Sequence, residues 1–141
     1  MNRGAVVLAA LCSLGFAACA GGGTDTVSNA AIYDAWRSGQ SHLEVTASGS
    51  VARVLGLRNG PSGEHEGFLL HLRGAEGHGL TVRVEDNTDI TGPMDVHAGD
   101  DAVVRGEYIY DPRGGIIHYT HHDPRGHHVS GYVRVNGRTY F

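Results

Sequence analysis

Leu43-Glu44-Val45-Thr46-Ala47-Ser48-Gly49-Ser50-Val51 alternates small or apolar residues with polar ones, and this run decides the fold class. A period of two puts successive side chains on opposite faces of an extended chain, so the stretch reads as a long half-buried strand. Gly49 inside it offers a point where the strand can bend sharply. Working outward, Phe68, Leu70 and Leu72 face one way while His71 and Arg73 face the other. Leu80, Val82 and Val84 repeat the pattern against Thr81, Arg83 and Glu85. Ala102, Val104, Gly106, Tyr108 and Tyr110 make a fourth strand, and Ile116 to Thr120 a fifth. Asn59-Gly60-Pro61-Ser62-Gly63, Gly92-Pro93, Ala98-Gly99-Asp100 and Asp111-Pro112-Arg113-Gly114-Gly115 punctuate them as turns. Tyr132 to Val135 and Arg138 to Phe141 flank Asn136-Gly137, the type I′ hairpin signal.

Five principal strands suit a small closed ring better than a sandwich, which wants about seven. The expectation is therefore an all-β domain: a five-stranded OB-like barrel followed by a C-terminal hairpin. A short helix precedes it. Ser28 or Asn29 is placed to cap that helix, and Ile32, Ala35 and Trp36 share one face, with Trp36 as a lid on the barrel.

The N-terminus carries a different signal. Arg3 precedes an almost uninterrupted apolar run from Gly4 to Phe16, shorter than the about 20 residues a bilayer-spanning helix needs. It ends in Phe16-Ala17-Ala18-Cys19, which resembles a bacterial lipobox, where small residues precede a cysteine that becomes lipidated. Residues 1–19 are thus expected to be a lipoprotein signal peptide, 20–27 a flexible tether, and 28–141 one domain of ordinary size. Cleavage by an ordinary signal peptidase near Ala18 or Ala20 is the alternative. The expected location is the cell envelope, facing the periplasm, with the outer membrane holding the lipid anchor.

Cys12 lies within the segment to be removed, so the exported domain has no thiol for a disulfide, a zinc site or a nucleophile. All 11 basic residues are arginine. Arginine pairs bidentately with carboxylate and phosphate, which suits anion binding, although a GC-rich coding bias gives the same composition. A formal charge of −4 argues against nucleic acid as a partner. Ten histidines make that charge sensitive to mild acid.

The stretch from Gly106-Glu107-Tyr108 through Gly114-Gly115-Ile116-Ile117-His118-Tyr119-Thr120-His121-His122-Asp123-Pro124 resembles a bacterial family known only as domain of unknown function 3465. That family's strand runs Gly-Glu-Tyr and then Gly-Gly-Val-Ile-His-Trp-Thr-His-His-Asp-Pro. His65-Glu66-Gly67-Phe68 and the end from Gly131-Tyr132 to Tyr140 are similar as well, so the likeness reaches from about Gly49 onward. Tyr119 stands where the family has tryptophan, and Asp86 where it tends to have histidine. The resemblance implies an exported protein and a fold, and it carries no activity.

Five histidines crowd between His118 and His128. One reading is a metal site for zinc or copper, with His122, Asp123 and His128 as ligands. Spacing restricts it: on an extended strand His118 and His122 lie about 13 Å apart. A shared ion therefore needs the chain to double back after Asp123-Pro124. The plainer reading is that the imidazoles and Asp123 knit a turn, with Asp123 accepting backbone N–H groups and His118 bonded across the sheet. If the fourth strand pairs with the fifth, Glu107 falls opposite His118 and can orient its ring.

Two functions follow. The first is a binding module for a small ligand or another envelope protein, using His65, Glu107, His118, His121, His122 and Asp123 as a polar surface. The second is a metal-binding protein or metal-dependent hydrolase using the His118–His128 cluster. No Gly-x-Ser-x-Gly elbow is present, and Ser130 near the histidines is a weak hint, so whether the protein is an enzyme stays open on sequence alone. Glu64-His65-Glu66 reads as a solvated turn, and His42, His78 and His97 as solvated loop residues.

Overall fold

A computed structural model describes residues 26–74 and 78–141; the expected signal peptide, Cys19 and most of the tether lie outside the described residues. The elements, in chain order, are α1 (Asn29–Ser38), β1 (Leu43–Gly60), β2 (Gly63–Leu72), β3 (Thr81–Asn87), α2 (Thr88–Thr91), β4 (Asp101–Ile109), β5 (Ile116–His118), β6 (Tyr132–Val135) and β7 (Arg138–Tyr140). The strands form one sheet in the order β1-β2-β3-β5-β4-β6-β7, and β1 also pairs with β4. Five strands therefore close into a ring, the OB-like arrangement expected from the period-two pattern, and the β6–β7 hairpin extends it from β4.

Closure depends on β1 serving two neighbours. Leu43 to Ser50 pair antiparallel with β4, and Gly49 to Gly60 pair antiparallel with β2. Gly49 sits at the changeover. A Cβ there would collide with the carbonyl oxygen of His71, so only glycine lets the two backbones approach. Register shifts between Val51 and Arg53 and between Val54 and Gly56 add curvature just beyond the bend. The β3–β5 pairing, the one parallel contact among these strands, places Ile117 beside Val84.

The inner face of the ring follows the alternation closely: Val45, Phe68, Leu70, Val84, Val104 and Ile117 are all buried. Helix α1 closes one end, with Ile32 and Ala35 buried and Trp36 packed against the core at partial exposure. Ser28 stands at the helix N-cap but makes no side-chain cap bond. Its hydroxyl and amide bond to Thr46 instead, and Asn29 bonds the Ser48 amide and the carbonyls of Ser48 and Arg73. These polar groups tie the helix to the backbone of β1 and to the end of β2.

Several local expectations are corrected. Glu64-His65-Glu66 is not a solvated turn but half-buried strand, because β1 and β2 continue to a turn containing only Pro61 and Ser62. Glu85, on the face opposite Val82 and Val84, is nonetheless buried, its carboxylate lying against Gly67 and paired with Arg58 and Arg83. The fourth strand ends at Ile109, which leaves Tyr110 exposed. The fifth ends at His118, two residues early, for a reason that shapes the site.

Candidate functional site

Tyr119 has φ +55, a left-handed backbone that costs an L-residue with a side chain free energy and that a strand cannot continue through. It breaks the alternation. The Tyr119 ring turns outward beside His118 instead of crossing to the inner face, and Thr120 takes the buried position. The His118 and Tyr119 rings stack at 4.0 Å and 22°.

The chain then doubles back. Asp123 accepts the backbone N–H groups of Arg125, His127 and His128, and its own amide is accepted by Ser130 Oγ. The Gly131 amide donates to the carbonyl of His121 at 2.9 Å, closing the loop. This return brings His128 over the free face of Tyr119, at 4.2 Å and 7°, with His121 edge-on to His128 at 4.8 Å. Tyr119 is thus held between two imidazoles on the outside of the ring.

Glu107 falls opposite His118 in the β4–β5 register, and its Oε1 lies 3.3 Å from His118 Nε2. The same oxygen lies 3.0 Å from His42 Nδ1. Burial alone would push the Glu107 carboxyl up, but the hydrogen bonds to His42 and His118 outweigh it and hold it below the usual carboxylate range. Glu44 stands directly across from Glu107 on β1. Burial first, and then the like charge of Glu107, push Glu44 up. The result is one ionised carboxylate flanked by imidazoles, next to a second that holds its proton more tightly. Burial also works against the ionised form of Asp123, yet the amides of His128, Arg125 and His127 bring it down to about 2.

Beneath this surface Asp86 is fully buried. Burial pushes its carboxyl up, opposed by hydrogen bonds with Thr120 and Thr91. Thr120 Oγ1 lies 2.6 Å from Asp86 Oδ1 and 3.0 Å from the carbonyl of Glu85, and Thr91 Oγ1 touches Asp86 Oδ2 and the carbonyls of Asn87 and Gly92. Two hydroxyl protons face five acceptors. A proton on Asp86 lets a threonine hydroxyl turn to a carbonyl, which is consistent with the upward shift. Asp86 is therefore a joint between β3, α2 and the start of the histidine loop.

The residues proposed as a site separate into groups. His118, Tyr119, His121 and His128 converge, with Glu107 and His42 beside them; His42 and Tyr119 are the members sequence reasoning missed. His122 points elsewhere, its Nδ1 meeting Ser130 Oγ at 3.0 Å. His65 is held locally by Ser62 and the Gly63 carbonyl, and it shares a shallow groove with His118, Arg58 and Glu85.

The suggested ligand trio of His122, Asp123 and His128 does not assemble. Asp123 is occupied by backbone amides, and His128 Nδ1 faces the Val129 carbonyl at 2.9 Å. Its Nε2 remains 3.9 Å from Asp123 Oδ2. Among the described residues no group of three or more His, Cys, Asp or Glu side chains is placed to hold a metal ion. The Ser130–His122 contact likewise reads as turn architecture, because the serine hydroxyl also accepts the Asp123 amide and no carboxylate among the described residues bonds His122. Among the described residues, no helix is long and apolar enough to cross a membrane.

No curated protein matches the chain. A family model described as protein of unknown function (DUF3465) matches residues 14–141, which is nearly the whole sequence. With a match of that extent over the ring, the histidine loop and the closing hairpin, the chain belongs to the DUF3465 family.

Proposed function

We propose that this chain is an exported envelope protein, anchored by lipid at Cys19, whose OB-like ring is a binding module for a polar ligand or another envelope protein. The contact surface is the outer patch of Tyr119, His118, His121 and His128 with Glu107. The observation that carries this reading is the exposed Tyr119, held in a costly left-handed conformation between two imidazoles. A structure-building role alone would not require a large exposed aromatic there. Backbone strain of this kind persists where its surroundings enforce it and often marks a working surface. With both ring faces covered, Tyr119 offers its edge and hydroxyl, and the imidazoles offer N–H and lone-pair groups. Such a surface recognises hydrogen-bonding partners rather than apolar ones.

Site-specific photo-crosslinking in cells tests it. A crosslinking residue at Tyr119 should yield a discrete adduct in the envelope fraction, and the same residue at Arg138, on the far hairpin, should not. Labelled palmitate should enter the wild-type chain and not Cys19→Ala. Equal adducts at both positions, or none at Tyr119, would remove the binding surface; palmitate-free wild type would remove the anchor.

A further inference from the structure

A second feature lies on the outer face of β1, β2, β3 and β5, adjoining the shallow groove that holds His118. Arg53 pairs in register with Leu69, Leu69 with Arg83, and Arg83 with Ile116. Four strands therefore present one continuous row: cation, apolar, cation, apolar. The outer face of such a ring is ordinarily polar, and Leu69 and Ile116 depart from that, sitting half-buried between residues whose inward neighbours already fill the core.

Arg58, from the far end of β1, and Arg113, from the β4–β5 turn, wall the row in to make a cavity of about 550 Å³. That volume is within the range of small-molecule sites, roughly 300–1,000 Å³. The turn that carries Arg113 packs closely on the ring, since a Cβ on Gly114 or Gly115 would collide with the Thr81 carbonyl or the Tyr108 ring.

Charge in this groove runs against that of the whole molecule, which is −4. Glu85 is shared by Arg58 and Arg83, and Asp111 pairs with Arg113. No carboxylate among the described residues pairs with Arg53. Four guanidinium groups thus meet two carboxylates around an apolar floor. Guanidinium groups match carboxylate and phosphate bidentately, and the leucine and isoleucine between them suit a carbon skeleton.

The geometry points to a binding site for a small amphipathic anion, with a phosphate or carboxylate head held by Arg53 and its neighbours and an apolar body laid across Leu69 and Ile116. This goes beyond the Tyr119 surface and does not depend on it.

Purified full chain in neutral nanodiscs of phosphatidylcholine, titrated with 2-naphthyl phosphate, 2-naphthoate and inorganic phosphate, tests the site. Both naphthyl anions should bind, the better one naming the head group, and inorganic phosphate should bind at least about tenfold more weakly because it lacks the apolar body. Arg53→Gln and Leu69→Ser should each weaken naphthyl anion binding by about fivefold to tenfold, while both variants keep a single cooperative thermal transition above the assay temperature. Loss of naphthyl anion binding in phosphatidylglycerol discs would identify a lipid head group as the natural source, and its persistence a soluble ligand. Absence of binding, equal binding of inorganic phosphate, or indifference to both substitutions would overturn the proposal.

Discussion

Gly131→Ala is expected to destabilise the protein by about 2–3 kcal/mol and to disperse the histidine surface with it. The cause is crowding against backbone. A Cβ at Gly131 would fall inside the contact radius of the carbonyl oxygens of Tyr119 and Arg105 and press on the Cα of Thr120. None of these can swing aside as a side-chain tip can, so either β6 leaves β4 or the 119–121 segment lifts from the ring. Gly126→Ala, in the same loop, meets open space and bears only a left-handed backbone, φ +69, at about 1 kcal/mol. Urea unfolding of the two variants checks the contrast. A Gly131→Ala loss no larger than that of Gly126→Ala would mean that the loop is not clamped where the structure puts it.

Phe68→Ala should cost about 3–5 kcal/mol, a large share of the about 5–15 kcal/mol that holds a domain of this size together, whereas Leu69→Ala should cost under about 1 kcal/mol. Phe68 is fully buried in the ring and Leu69 is half-exposed on its outer face. The two residues are adjacent and similarly apolar, so the difference between them measures the register of β2 directly. A one-residue slip would exchange their roles. Comparable losses on thermal or chemical unfolding would contradict that register.

Most of the ring could be read from the chain because period-two alternation is a local signal, and Val45, Leu70, Val82 and Val104 each obey it. Local alternation says nothing of residues that answer to a distant partner. Counting by twos sends Glu85 to the outer face, but its burial there, against Gly67 and beside Arg58 and Arg83, depends on residues of neighbouring strands. His42 is the exposed loop residue it reads as, but its partner Glu107 is 65 positions away and leaves no local trace. Counting also carried the fifth strand on to Thr120, since no sequence rule puts a tyrosine in a left-handed conformation. The arginine groove left legible hints in Phe68-Leu69-Leu70 and Ile116-Ile117, where an apolar residue occupies the step that alternation reserves for a polar one, and in a basic complement made wholly of arginine. By contrast the Glu107–His118 contact followed from strand pairing across a short turn, and the doubling back after Asp123 from turn chemistry.

The histidine-loop surface exists only if Tyr119 is enclosed by its neighbours. Ring-to-ring nuclear Overhauser effects in the isotopically labelled protein measure this directly. Centroid separations of 4.0 and 4.2 Å require strong cross-peaks from the Tyr119 ring protons to both His118 and His128, and from His128 to His121. A Tyr119 ring with contacts to His118 alone, or averaged as in a free side chain, would show that the loop does not return over it, and the proposed surface would not exist.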